Sequence, residues 1–116
     1  MLEYFYRLQP SLVIEGARFQ HIDPHLDPLN IEHLWGFAAL PDRVAALSQC
    51  AEPRAFMGHV HEWGVYTPRG PVEWAGGEPF VYQSGERYLT TIHAVVDGWC
   101  AVFDTTRDHL EPVRVA

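Results

Sequence analysis

Lysine is absent from this chain: all eight basic residues are arginine. Without that amine there is no Schiff-base nucleophile, no anchor for pyridoxal phosphate and no nucleotide-binding P-loop. Cysteine is scarce. Cys50 and Cys100 are the only two, too few for a disulfide scaffold. No window approaches the roughly 18 apolar residues of a membrane-spanning helix. The opening Met-Leu-Glu-Tyr-Phe-Tyr-Arg lacks the basic start and apolar run of a signal peptide. The expectation is a soluble, cytoplasmic protein with free thiols and no membrane contact. Positive charge is also short: 8 arginines face 15 acidic residues, for a formal net charge of −7 and a pI near 5.3. Such a balance argues against nucleic acid, which needs a basic stripe. It suits a partner with a basic surface.

What is present is enough apolar material for a core. The 116 residues are 47% hydrophobic and 13% aromatic, sufficient for one domain without disulfide or metal support. The expected unit is a single globular domain over 1–116, and self-association into a homo-oligomer is compatible with it. Tyr88 to Asp104 reads as the central hairpin. Two runs rich in β-branched and aromatic residues flank Asp97-Gly98, and a two-residue Asp-Gly loop favours a type I′ turn. That register sets Val96 opposite Trp99 and His93 opposite Val102. It puts Thr91, His93, Cys100 and Asp104 on one face.

Upstream, residues 3–8 and 11–14 read as strands, Gly16 as a turn and Phe19–Ile22 as extended. Asp27-Pro28 suits a helix start, predicting a helix over 29–40. Pro41 opens a second helix over 42–50, which Pro53 closes. Met57, His59, His61, Trp63 and Val65 alternate as in a strand, with Gly64 marking a bulge. Residues 67–71 and 75–79 are loops, residues 72–74 and 80–82 short strands, and Glu111–Val115 an edge strand. The predicted fold is α+β: a mainly antiparallel sheet of about five to seven short strands with two helices packed on one face.

Chemistry-bearing residues are sparse, and histidine leads. There are seven in the chain, and histidine is the commonest transition-metal ligand. His59-Val60-His61 in a strand would present both rings on one face. With His93, Glu62 or Glu73 they are the candidates for a divalent metal. Gly58-His59-Val60-His61 is similar to the metal motif of cupin barrels in its paired histidines, but the match ends there. The cupin glutamate should follow three or four residues later, and Glu62 follows at once. His21, Asp23, His25 and Asp27 alternate as well, yet each Asp-Pro favours a turn that would splay them.

His93, Cys100 and Asp104 are candidate catalytic residues, arranged on the expected hairpin like a thiol nucleophile with base and orienter. A mid-strand cysteine reads more simply as a small buried side chain. Trp63, Tyr66, Arg69 and Trp74 surround a Pro/Gly-rich loop and are the candidate binding surface. Two functions follow. The first is a small acidic protein-binding module: an inhibitor, an immunity-type protein or a regulatory partner. The alternative is a small enzyme or ligand- or metal-binding domain using His59, His61 and His93 with nearby carboxylates.

Overall fold

A computed structural model describes residues 11–22, 24, 29, 44, 47 and 50–115. The elements they form are nine strands and one three-ten turn: β1 Ser11–Ile14, β2 Ala17–Gln20, β3 Arg54–Met57, β4 Gly64–Thr67, β5 Gly70–Val72, β6 Phe80–Val81, β7 Tyr88–Thr91, the turn Val95–Asp97, β8 Trp99–Asp104 and β9 His109–Arg114. Strands β1 to β5 and β7 build a six-stranded sheet in the order β1-β2-β3-β7-β4-β5. Strands β6, β9 and β8 build a second sheet.

The architecture is therefore mainly β, and the α+β expectation with two helices is corrected. The three-stranded sheet covers one face of the large sheet, and Leu47 and Cys50, from the segment of the second predicted helix, lie against the other. The strand predicted over 3–8 and most of both predicted helices lie outside the described residues. Among the described residues no helix is long and apolar enough to cross a membrane.

Period-two alternation sorts the large sheet into two apolar faces. Ala17, Phe56, Val65 and Tyr88 point toward the small sheet and meet Tyr82, Ala101, Phe103 and Leu110. Phe56 is the hub, with ring centroids 5.0 Å from both Phe19 and Phe103. Ala55, Met57 and Leu89 point the other way, against Leu47 and Cys50.

The central hairpin does not form. Strand β7 lies between β3, to which it is parallel, and β4, to which it is antiparallel. Both of its edges are filled, and Leu89, Thr90 and Thr91 have essentially no exposure, so β8 cannot pair with it. Strand β8 pairs instead with β9 in the second sheet. A type I′ turn needs positive φ at both central residues. Gly98 has it (φ +86), whereas Asp97 does not, and Val95–Asp97 curls into a three-ten turn capped by Gly98.

Two further expectations change. The strand expected through Met57–Val65 stops at Met57 and resumes at Gly64, with residues 58–63 forming a loop. The expected edge strand near the C-terminus is the middle strand of the small sheet, paired with both β6 and β8.

Candidate functional site

Strands β2, β3 and β7 are adjacent and mutually parallel. Their carboxyl ends therefore lie at one edge of the sheet, the usual place for a ligand site in parallel sheets. Each of these ends runs into a histidine. Gln20 is followed by His21, Met57 by Gly58-His59-Val60-His61, and Thr91 by Ile92-His93.

Backbone bonds fix the first two loops against each other. Gly58 N and His59 N both donate to the His21 carbonyl, at 3.2 and 2.9 Å. As a result His59 Nδ1 and His21 Nε2 stand 3.2 Å apart, with the rings edge to face. Partial burial pushes the His21 pKa below the ordinary histidine value, and the charges of His59 and then His61 add to that effect. The neutral form of His21 is favoured, and at 3.2 Å one ring of the pair donates to the other, the donor depending on the tautomer. His61 follows in a tight turn, its N–H on the Gly58 carbonyl at 3.2 Å and its φ at +55°. Such a φ is uncommon outside glycine and turns up at functional loops.

The third loop brings a carboxylate. Asp97 Oδ2 lies 3.8 Å from His61 Nδ1 and 3.5 Å from His93 Nδ1. Behind them stand three indoles. The Trp63 ring lies 5.6 Å from Trp74, 5.7 Å from Trp99 and 6.2 Å from His93. Trp63 Nε1 is buried with no hydrogen-bond partner among the described residues.

The structure thus gathers His59, His61 and His93 at one sheet edge, and joins them to His21 and Asp97. In the sequence, His21 alternates with Asp23, His25 and Asp27, and Asp97-Gly98 has the pattern of a hairpin turn, so neither pattern points to this edge. A signal for His21 was present: like the other two histidine segments, it follows an apolar-aromatic strand directly. Among the described residues no three His, Cys, Asp or Glu side chains converge closely enough to hold a metal ion by themselves. Glu62 and Glu73 are exposed.

The other candidates separate. His93 touches Trp99, which begins β8, while Asp104 ends that strand and accepts the N–H groups of Thr106 and Arg107 at 2.9 Å. Those bonds hold the Asp104 carboxyl below its usual pKa range. His93, Cys100 and Asp104 therefore form no triad, because the hairpin that would have aligned them is absent. The four candidate binding residues also divide. Trp63 and Trp74 belong to the inter-sheet cluster, and Tyr66 packs on the opposite face. Arg69 is exposed, pairs with Glu86 at 3.1 Å, and lines a groove of ≈ 480 Å³ with Thr67, Phe80 and Tyr88.

No family model matches this sequence, and no curated protein does. Solved structures that match this fold include one that covers nearly the whole chain. It is a metallophosphoesterase from Sphaerobacter thermophilus, with a TM-score of 0.75 and 23% identity, covering 99% of this chain and 50% of that one. The chain spans about half the length of that protein. At this identity the likeness establishes the fold alone.

Proposed function

We propose that this chain supplies histidine ligands for a divalent metal and serves phosphoester hydrolysis as part of a larger site. The observation that carries the reading is the His21–His59 pair, with ring nitrogens 3.2 Å apart. Two imidazole nitrogens bound to one metal at about 2.0–2.1 Å stand about 3.0–3.4 Å apart, depending on geometry. The donor set therefore fits. Burial favours the neutral form of His21, the form a metal ligand takes.

Two nitrogens and a neighbour are an incomplete ligand set. The reading therefore requires further ligands besides these histidines. When bound, a divalent cation supplies Lewis acidity toward a phosphoryl oxygen. The chain's own residues do the rest. The backbone bonds from Gly58 and His59 to the His21 carbonyl hold the two rings in place. His61 and Asp97, 56% and 47% exposed at their side chains, leave the edge open to a solvent-borne substrate. The net charge of −7 disfavours a bare phosphate group, so anion binding here depends on the cation.

Calorimetric titration with Zn²⁺ or Mn²⁺ tests this. The wild type should bind one equivalent, and His21→Ala and His59→Ala should each weaken binding at least about tenfold. Inorganic phosphate should bind only after the metal. Equal affinity in wild type and both variants would sink the reading.

A second reading, a protein-binding module, is supported by β1, which among the described residues is an edge of the large sheet. Leu12, Val13 and Ile14 are 45, 48 and 50% exposed there. An apolar edge strand is a template for strand addition. On this reading Leu12→Lys and Ile14→Lys abolish association with the partner and leave metal binding intact. Association that survives both changes would exclude it.

A further inference from the structure

The histidines occupy one end of the large sheet, and a second concave surface lies at the other. Strand β4 runs antiparallel to β7, with Gly64 beside Thr91 and Tyr66 beside Leu89. The turn after β4 is therefore at the amino end of β7, away from His93. There a groove of ≈ 480 Å³ opens between β5 and β6. Among the described residues these strands are an edge of the large sheet and an edge of the small one. The groove has the size of a ligand site.

One wall carries a placed cation. Pro68-Arg69 is the two-residue turn between Thr67 and Gly70. Thr67 Oγ1 accepts the Arg69 N–H and donates to the Gly70 carbonyl, both at 3.1 Å, so the turn is held from within. The Arg69 side chain is 74% exposed and meets Glu86 Oε1 through one nitrogen at 3.1 Å. A surface pair of this kind is worth little and exchanges readily for a two-pronged carboxylate. In a chain of net charge −7, an arginine in the groove selects an anion there. The other wall offers open backbone. Tyr82 N donates to the Asp108 carbonyl at 3.0 Å, in step with the pairing of Phe80 with Leu110 and Val81 with His109. Antiparallel bonds alternate along a pair, so Val81 is the residue whose N–H and C=O point away from β9, to the free edge. Val81 lines the groove and is 68% exposed. On the facing edge β5 carries Pro71, which has no N–H to give, so strand addition is directed to β6. Phe80 and Val72 supply apolar wall between the two.

We propose that this groove binds the carboxyl-terminal end of an extended apolar peptide, its backbone added to β6 at Val81 and its terminal carboxylate held by Arg69. Strand addition and capture of a terminal carboxylate are recurring modes of peptide recognition. Main-chain bonds give affinity, and the arginine fixes where the peptide stops. The site is separate from the histidine edge and needs no metal. It also lies at the opposite side of the large sheet from β1, so it stands or falls independently of both functions proposed above.

Titration of the ¹⁵N-labelled chain with an N-acetylated alanine–valine tetrapeptide tests this. The peptide is used with a free terminal carboxylate and as its terminal amide, beside acetate and inorganic phosphate. The acid should give saturable shifts in the amide signals of Arg69, Gly70, Val81 and Gln83 at about 1 mM or below. The amide should bind at least about tenfold more weakly, and Arg69→Gln should bring the two peptides level. Val81→Pro removes the edge N–H and leaves the bonds to β9; it should keep a folded spectrum and lose the acid peptide. The acid peptide methylated on its main-chain nitrogens probes the same bonds with the protein unaltered, and it should also fail to bind. Absence of saturable shifts, equal affinity for acid and amide in the wild type, or unchanged acid binding in Arg69→Gln overturns the proposal. Undiminished binding of the methylated peptide overturns strand addition. Acetate or phosphate binding as tightly as the acid peptide overturns the peptide as ligand, since the groove would then hold a bare anion.

Discussion

Arg54 shows how one side chain ties the two sheets together. It lies on β3, is 7% exposed, and forms a two-pronged pair with Asp108, in the turn before β9. Its remaining N–H groups reach the carbonyls of Pro53, Glu86 and Gln83. Its guanidinium sits 5.0 Å from the centroids of both Tyr82 and Tyr88. Arg54→Met leaves those carbonyls and the carboxylate without their donor, and should cost about 3 kcal/mol or more in urea unfolding. Asp108→Asn keeps the carbonyl bonds and should cost less. None of this was legible in the sequence, where Arg54 follows a proline as an ordinary loop charge and Asp108 lies 54 positions away.

Glu52 carries the clearest pH dependence. Arg18 donates to both of its oxygens, at 2.9 and 3.0 Å, and this bond holds the Glu52 carboxyl below its ordinary pKa. The folded pKa is thus lower than the unfolded one. The stabilisation is full above about pH 4.3 and is lost as pH falls through the folded value. The difference between the urea midpoints of wild type and Glu52→Gln should be full at about pH 6 and shrink steadily as the pH is lowered below about 4. A difference that does not shrink with falling pH would contradict this.

Short elements were legible where turn chemistry decides locally. The β1–β2 hairpin turns at Gly16 (φ +75), and the β4–β5 hairpin turns within the predicted loop at 67–71. Asp97-Gly98 misled because the same dipeptide also serves a three-ten turn with a glycine cap, and the choice was made by β3 and β4 occupying both edges of β7. Strand pairing between distant segments leaves no periodicity to read. The histidines were legible as residue types but not as a site, because the parallel order β2-β3-β7 is what brings their loops together.

Gly76 makes an element-scale prediction. It has φ +83°, and a Cβ there would fall 2.2 Å from Trp63 Cδ1. Gly76→Ala should displace the Trp63 ring, shift tryptophan fluorescence and cost about 1–3 kcal/mol. Gly77 has open space around its Cβ position, and Gly77→Ala should change neither. Equal effects from the two would show that Trp63 does not pack as described.

At the scale of the whole molecule, three parallel strands deliver three histidine loops to one edge, while a second sheet buries the opposite requirement of a core. The composition foresaw that core and the histidine richness; it could not foresee two stacked sheets, since both have the same apolar alternation as one sheet covered by helices. The account stands on His21 and His59 being metal ligands together. Paramagnetic broadening by substoichiometric Mn²⁺, read on the histidine ring resonances, tests that most directly. His21 and His59 should broaden first and together, His61 next, and His109, on β9 in the other sheet, last. Broadening centred on any other group, or spread evenly over the histidines, would contradict it.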